Sequence, residues 1–158
     1  LAIRVGPLPD SSLHKKGLGY LKTLIVGSKS YFDTRTLPDS IQGLNEHRII
    51  GTSAYPNWPL KNGWSNETAV FRPIFSAQAN DLNVVKDLVM NGLGLALLPS
   101  TYVMNDMLSG GLVHVLPKWE GPQREVSLLW PSGKLLSKRA RCFADFTEDF
   151  FDSVLPGS

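Results

Sequence analysis

The stretch Asn80-Asp81-Leu82-Asn83-Val84-Val85-Lys86-Asp87-Leu88-Val89-Met90-Asn91-Gly92-Leu93-Gly94-Leu95-Ala96-Leu97-Leu98-Pro99 decides how this chain folds. Leu82, Val85, Leu88 and Val89 recur at the three- and four-residue spacing of one helix face. Asn80 is placed to cap that helix, since its short amide can accept from an unpaired N–H of the first turn. Gly92 falls where the closing residue takes the left-handed conformation that costs glycine little. Leu93 to Leu98 follows as an apolar run between Gly and Pro, which reads as a strand buried on both faces. The same run invites a dinucleotide-loop reading through Gly92 and Gly94. That reading fails, because the third glycine is missing and the order is helix, glycine, strand, the reverse of a phosphate-binding turn.

Working outward, short apolar strands alternate with helical segments. Strands are predicted at Leu1 to Val5, Leu21 to Gly27, Arg48 to Gly51, Ile74 to Ala77, Leu112 to Leu116 and Glu125 to Trp130. Trp58 to Leu60 and Thr68 to Arg72 read as a hairpin turning at Asn62-Gly63. A helical turn is predicted at Ser30 to Phe32, and a short helix over Pro38 to His47 with Pro at its start. Ser100 is expected to cap a helix running to about Leu108, which Gly110-Gly111 ends. Ser137 is expected to cap the last one, whose apolar face is Ala140, Phe143, Phe146, Phe150 and Val154. Strand runs that are apolar rather than alternating predict an α/β fold with a mostly parallel sheet covered on both sides.

The chain has 158 residues, 42% hydrophobic and 19% charged, enough for a substantial core. Its longest apolar run is far short of the roughly 20 residues that cross a bilayer. Sixteen basic and fourteen acidic residues leave a net charge of +2, with no basic stripe for nucleic acid to follow. The single Cys142 cannot form an internal disulfide, which fits a reducing, cytoplasmic setting. Asn66-Glu67-Thr68 has the form of a glycosylation sequon and is read as a chance match. Leu1 to Gly6 begins as a strand in mid-flow, which suggests a chain cut from something larger.

No catalytic or metal constellation emerges. There is no Gly-x-Ser-x-Gly elbow, and His14, His47 and His114 stand in no motif with Ser or Asp. One Cys and three scattered His offer no ligand spacing, so no metal and no cofactor is expected. Asp145, Glu148, Asp149 and Asp152 read as the solvated side of the last helix. More informative is Phe75-Ser76-Ala77-Gln78-Ala79-Asn80, which sets Ser76, Gln78 and Asn80 where a strand ends and a helix begins. In open α/β sheets ligands bind at such strand ends, and helix N-termini favour anions; the competing reading is that these residues are only caps and turns. Thr52-Ser53 forms a second hydroxyl-rich strand end. Trp58 either walls a pocket or belongs to the core. Arg4, a charge in an apolar strand, is either paired or points toward a ligand.

The order of features resembles that of LysR-type transcriptional regulators of bacteria. Leu1-Ala2-Ile3-Arg4-Val5-Gly6 through Asp10-Ser11-Ser12-Leu13 is similar to their D-L-A-I-R-x-G…D-S-S-L run. Val26-Gly27-Ser28-Lys29-Ser30-Tyr31-Phe32 resembles V-A-S-P-x-Y-L, and Leu37 to Ile41 with Glu46 to Ile50 resembles P-x-D-L…H-x-C-I. Asn80-Asp81 with Gly92 to Pro99 resembles N…G-L-G-I-A-x-L-P, and Gly111 to Trp119 resembles G-x-L-V-x-V-L-P-x-W. Val126 to Pro131 and Phe143 to Phe146 complete the series across nearly the whole chain.

That resemblance implies the C-terminal effector-binding domain of such a regulator, with the two-lobed α/β architecture of type 2 periplasmic binding proteins. Residues 21–122 correspond to a complete lobe II, and residues 1–20 and 123–158 to parts of lobe I. The helix-turn-helix DNA-binding domain is not in this sequence, so DNA contact would come only through that N-terminal domain. The implied ligand is a small organic anion, held by Arg4, Val5, Thr52, Ser53, Trp58, Ser76, Gln78 and Asn80 between the lobes. The intact regulator is expected to be a homo-oligomer, with no membrane partner and no catalysis. An exposed apolar surface is expected on the lobe I part. A solute-binding protein of a transporter shares the fold and stands as the alternative.

Overall fold

In the computed structural model residues 1–6, 13–53, 55–131 and 137–155 are described. In chain order, β1 spans Ala2–Val5, β2 Leu13–Leu21, β3 Thr23–Ser28, β4 Ile49–Gly51, β5 Trp58–Asn62, β6 Thr68–Phe71, β7 Phe75–Gln78, α1 Leu82–Met90, β8 Leu95–Pro99, α2 Ser100–Leu108, β9 Leu112–His114, β10 Trp119–Glu120, β11 Arg124–Pro131 and α3 Lys138–Val154. The chain divides into two compact units, Lys22–Pro122 and Leu1–Leu21 with Gln123–Ser158.

The larger unit is built on a five-stranded sheet of order β7-β4-β8-β3-β9. Alternate residues of its central strands feed two cores. Leu24, Val26, Ala96, Leu98 and Ile50 face Val85 and Val89 of α1 and Val103 of α2. Ile25, Leu95, Leu97 and Ile49 face Trp58, Leu60, Phe71, Tyr31 and Leu44 on the other side. Burying both faces is why these strands read as unbroken apolar runs. The expectation of a mostly parallel sheet is corrected: β4 runs parallel to β7 and β8, but β3 is antiparallel to both β8 and β9. A run covered on both sides looks the same in either direction, so periodicity could not distinguish them.

Four local expectations change for identifiable reasons. Pro38 to His47 is not a full α-helix; only Gln42–Glu46 makes a 3-10 turn, since Gly43 and Asn45 are poor helix formers, and Ser40 Oγ accepts from Gly43 N at 3.3 Å at its start. The hairpin of β5 and β6 exists, but Asn62-Gly63 is not its two-residue turn. Asn62 ends β5, and its side-chain oxygen accepts from Trp64 N at 2.9 Å and Ser65 N at 3.1 Å across a longer loop. Ser100 is the first residue of α2 rather than its cap, a position taken by Pro99. The strand from Leu112 stops at His114, and Leu116 adopts φ 52°.

The smaller unit is an antiparallel sheet of order β1-β11-β2 under α3. β2 has no counterpart in the sequence reading: Gly17 and Gly19 interrupt its pattern, and tertiary pairing with β11 overrides them. Leu18, Val126, Leu128 and Leu155 form its core, with Ala144 and Phe151 of α3 packed on them. This corrects the expected apolar face of α3. The helix sets Ala140, Ala144, Thr147 and Phe151 inward, and Thr147 satisfies its hydroxyl by donating to Phe143 O at 2.7 Å. Phe143, Phe146, Phe150 and Val154 are all exposed, Phe146 by 65%, as are Leu1, Ile3 and Val5. Ser137 caps the helix as expected, accepting from Ala140 N at 3.3 Å.

Candidate functional site

The chemistry-bearing residues of the larger unit gather at the carboxyl ends of β4 and β7. These two strands are parallel, with Gly51 opposite Gln78, and Ala79 N donates to Gly51 O at 3.1 Å. Thr52 and Ser53 therefore leave the sheet beside Gln78, Ala79 and Asn80. A register shift between Ile49 and Ile50 leaves Ser76 as an extra residue of β7. Gly51 is required here because the Phe75 ring lies where a Cβ would be, 2.3 Å from its Cδ1. Ser53, Ser76, Gln78 and Asn80 are exposed, whereas Thr52 is buried and engaged.

Three sequence expectations about this site are refined. Asn80 is not the cap of α1: Asp81 carries that role, its carboxylate accepting from Asn83 N at 2.7 Å. Asn80 and Asp81 are both good capping types, and only the backbone shows that Asp81, still extended at φ −95° and ψ 125°, is the last residue before the helix. Asn80 is thereby free of the capping role. Asp81 also places a negative charge where the helix dipole favours an anion, so α1's N-terminus is already served by the protein's own carboxylate. Trp58 lies in the core, 1% exposed, its ring tilted against Phe71 at 5.4 Å.

Arg4 and Val5 lie on β1 of the smaller unit, both exposed. Arg4 makes no ion pair among the described residues. Directly across from it on β11 is Ser127, 1% exposed, whose hydroxyl has no hydrogen-bond partner among the described residues. Ser127 was missed by sequence reading, for a lone serine in an apolar strand carries no signal.

The three histidines take no catalytic geometry. His14 packs on Trp130 at 5.6 Å, and His47 lies 5.8 Å from Tyr31 and 6.1 Å from Phe32. Burial pushes His47 below its ordinary value, with Arg35 adding to that shift and Glu46 opposing it. Burial likewise lowers His114, against the opposing pull of Glu120. Both remain neutral near pH 7. Among the described residues no group of three His, Cys, Asp or Glu is placed to hold a metal. None of the described helices is long and apolar enough to cross a membrane.

The comparisons with known proteins agree in direction. The model of the LysR substrate binding domain matches residues 1–152. An HTH-type transcriptional regulator of Xanthomonas campestris pv. campestris is 31% identical over 92% of this chain and 44% of its own length. The regulator PtxR of Pseudomonas aeruginosa is 29% identical over 92% of this chain and 47% of its own. The chain thus spans about half the length of the curated relatives it matches. The regulatory domain of AphB from Vibrio vulnificus superposes with a TM-score of 0.83 at 32% identity, covering 92% of this chain and 72% of that one. Full-length AphB of Vibrio cholerae, described as a member of the LTTR protein family, gives 0.83 at 30% identity, over 94% of this chain and 51% of that one. The architecture is accordingly the periplasmic-binding-protein-like α/β fold of such regulatory domains, and the transporter alternative is not favoured. On the order of its motifs, its fold and a match over residues 1–152, this chain belongs to the LysR substrate binding domain family.

Proposed function

We propose that this chain is the effector-binding regulatory domain of a LysR-type transcriptional regulator, and that its role is recognition rather than catalysis. The observation that carries the site is the parallel pairing of β4 with β7, which sets Thr52 and Ser53 beside Gln78 and Asn80. Neutral hydroxyl and amide groups at two adjacent strand ends suit the oxygen-rich part of a small organic molecule. Ser53, Ser76, Gln78 and Asn80 are its contacts, Thr52 shapes the loop, and Trp58 supports the β5–β6 hairpin from the core. On the smaller unit, Arg4 and Val5 of β1 are exposed and are candidate contacts in their own right.

Ligand binding changes the regulator only through different affinities for its conformations. DNA is contacted through a helix-turn-helix outside these residues, and the intact regulator is a cytoplasmic homo-oligomer. The test substitutes Ser76→Ala and Asn80→Ala in the intact regulator. Each blunts the effector response while operator binding stays at the wild-type level. An unaltered response in both would overturn the site. A thermal-shift screen of small carboxylates and aromatic metabolites against the same protein identifies the effector class.

A further inference from the structure

The second sheet of the larger unit, of order β10-β5-β6, ends on one side in β6, which pairs with β5 alone among the described elements. Pro59 of β5 stands opposite Val70 and has no N–H to give, so theirs is a non-hydrogen-bonded pair. Bonded and non-bonded pairs alternate along an antiparallel ladder, and Asn62 N, donating to Glu67 O at 2.8 Å, keeps the same phase. Leu60 with Ala69 and Trp58 with Phe71 are therefore the pairs that exchange bonds. The N–H and C=O groups of Thr68 and Val70 consequently point to the open edge, where no described residue meets them. Natural edges are blunted by charge, proline or a bulge. Thr68-Ala69-Val70-Phe71 carries none of these, its register with β5 is unbroken, and Val70 is 52% exposed.

The surrounding side chains give this edge its sign. Pro59, Lys61, Thr68 and Val70 share the outward face, while Trp58, Leu60 and Phe71 fill the core. Lys61, Arg72 and Lys118 are exposed and make no ion pair among the described residues. Glu120, opposite Lys61, is taken by Lys22 at 3.1 Å, which leaves Glu67 of the hairpin loop to oppose those cations. Trp64 is 77% exposed on a loop that the Asn62 side chain ties down, with Lys118 Nζ 4.6 Å from its ring centre.

We propose that the open edge of β6 is a docking site for an extended acidic segment of another protein, which joins the sheet as a further strand. Thr68 and Val70 each offer one N–H donor and one C=O acceptor to it, the main-chain bonding of strand addition. Alternate side chains of the segment share the outward face with Lys61, and glutamates there meet the basic surface. The Trp64 ring, already held in place, offers apolar area at little cost in ordering. Charge decides between partners: a second copy pairing edge to edge would bring Lys61 and Arg72 toward their own counterparts, whereas an acidic segment neutralises them. The site lies within the larger unit and is independent of the effector reading.

The test follows fluorescence anisotropy of labelled hexapeptides: one alternating glutamate with valine, one alternating lysine with valine, and the glutamate peptide N-methylated throughout. Wild type binds the glutamate peptide more tightly than the lysine peptide, and added salt weakens that binding. N-methylation removes the peptide's donors and abolishes it. Val70→Pro deletes an edge donor while sparing the β5–β6 ladder, in which the Val70 N–H takes no part. It keeps the thermal midpoint near wild type and weakens the glutamate peptide about tenfold, as the loss of a hydrogen bond does. Should that proline unfold the hairpin, the N-methylated peptide reads the same edge on wild type. Lys61→Glu combined with Arg72→Glu reverses the preference toward the lysine peptide. The proposal is overturned if wild type binds neither peptide or both alike, or if N-methylation or a folded Val70→Pro leaves binding unchanged. It is also overturned by self-association of wild type, seen by light scattering, that Val70→Pro abolishes, because the edge then belongs to a second copy of this chain.

Discussion

Gly51→Ala tests the packing that sets up the strand ends. A Cβ at residue 51 would lie 2.3, 2.4 and 2.7 Å from three carbons of the Phe75 ring. Carbon atoms pack best at about 3.5–4.0 Å, so the ring must retreat by more than about 1 Å. Phe75 packs, partly buried, against the core cluster that holds Ile49, Trp58 and Leu95, so its retreat disturbs those contacts. Overpacking of this kind costs about 1–3 kcal/mol. For a chain of this length that is a fall of roughly 2–12 °C in thermal midpoint. Thermal unfolding followed by circular dichroism measures it, with Phe75→Leu and the double variant completing a cycle. Removing the ring relieves the clash, so the double variant is more stable than the two separate effects predict. Strict additivity, or a midpoint for Gly51→Ala within 1 °C of wild type, would refute the close approach of Phe75 to residue 51.

Other consequences follow from particular contacts. Asp81→Ala removes the cap of α1 and costs about 0.5–2 kcal/mol, whereas Asn80→Ala costs little; chemical denaturation of the two variants distinguishes them. Because burial lowers His47 and His114, the unfolded chain takes up protons more readily than the folded one as pH falls below their ordinary value near 6.5. Stability is therefore full above that pH and declines as acid is added through the window beneath it, and His47→Gln flattens part of the decline seen in pH-dependent unfolding. Phe146→Ser, on the exposed stripe of α3, alters stability by no more than about 0.5 kcal/mol while reducing self-association measured by light scattering, since an exposed apolar patch drives contact. Thr147→Val, though nearly the same shape, buries no new polar group and frees the Phe143 carbonyl of a second bond, so its effect stays within about 1 kcal/mol in the same denaturation assay.

Much of this protein was legible in its residues because the relevant physics is local. The spacing of Leu82, Val85, Leu88 and Val89, the glycine at residue 92 with its φ of 73°, and the apolar run to Pro99 each act within a few residues. They determine helix, joint and strand wherever the segment sits. The ordered motifs from Leu1 to Phe146 likewise needed no coordinates to indicate the family. What stayed hidden depends on partners distant in sequence. β2 exists because β11 pairs with it across more than a hundred residues, in spite of Gly17 and Gly19. The direction of β3 is set by its neighbours, since an apolar run covered on both faces reads alike parallel or antiparallel. The inward face of α3 was misassigned because aromatic periodicity marks an apolar stripe without saying what covers it, and the sheet beneath selected Ala144, Thr147 and Phe151 instead.

The candidate site divides the same way. Polar residues at strand ends can be picked from sequence, but that Thr52 and Asn80 share one edge follows only from the parallel register of β4 and β7. Ser127 of the smaller unit shows the same limit. Its residue type is unremarkable, and only pairing and burial leave its hydroxyl without a partner among the described residues. The family and most of the elements can be read from the residues alone, since they are written in short-range pattern; β2 is the exception, being made by its pairing with β11. The tertiary structure decided register, strand direction and which groups are left without partners, because those depend on contacts between residues that the chain alone does not bring together.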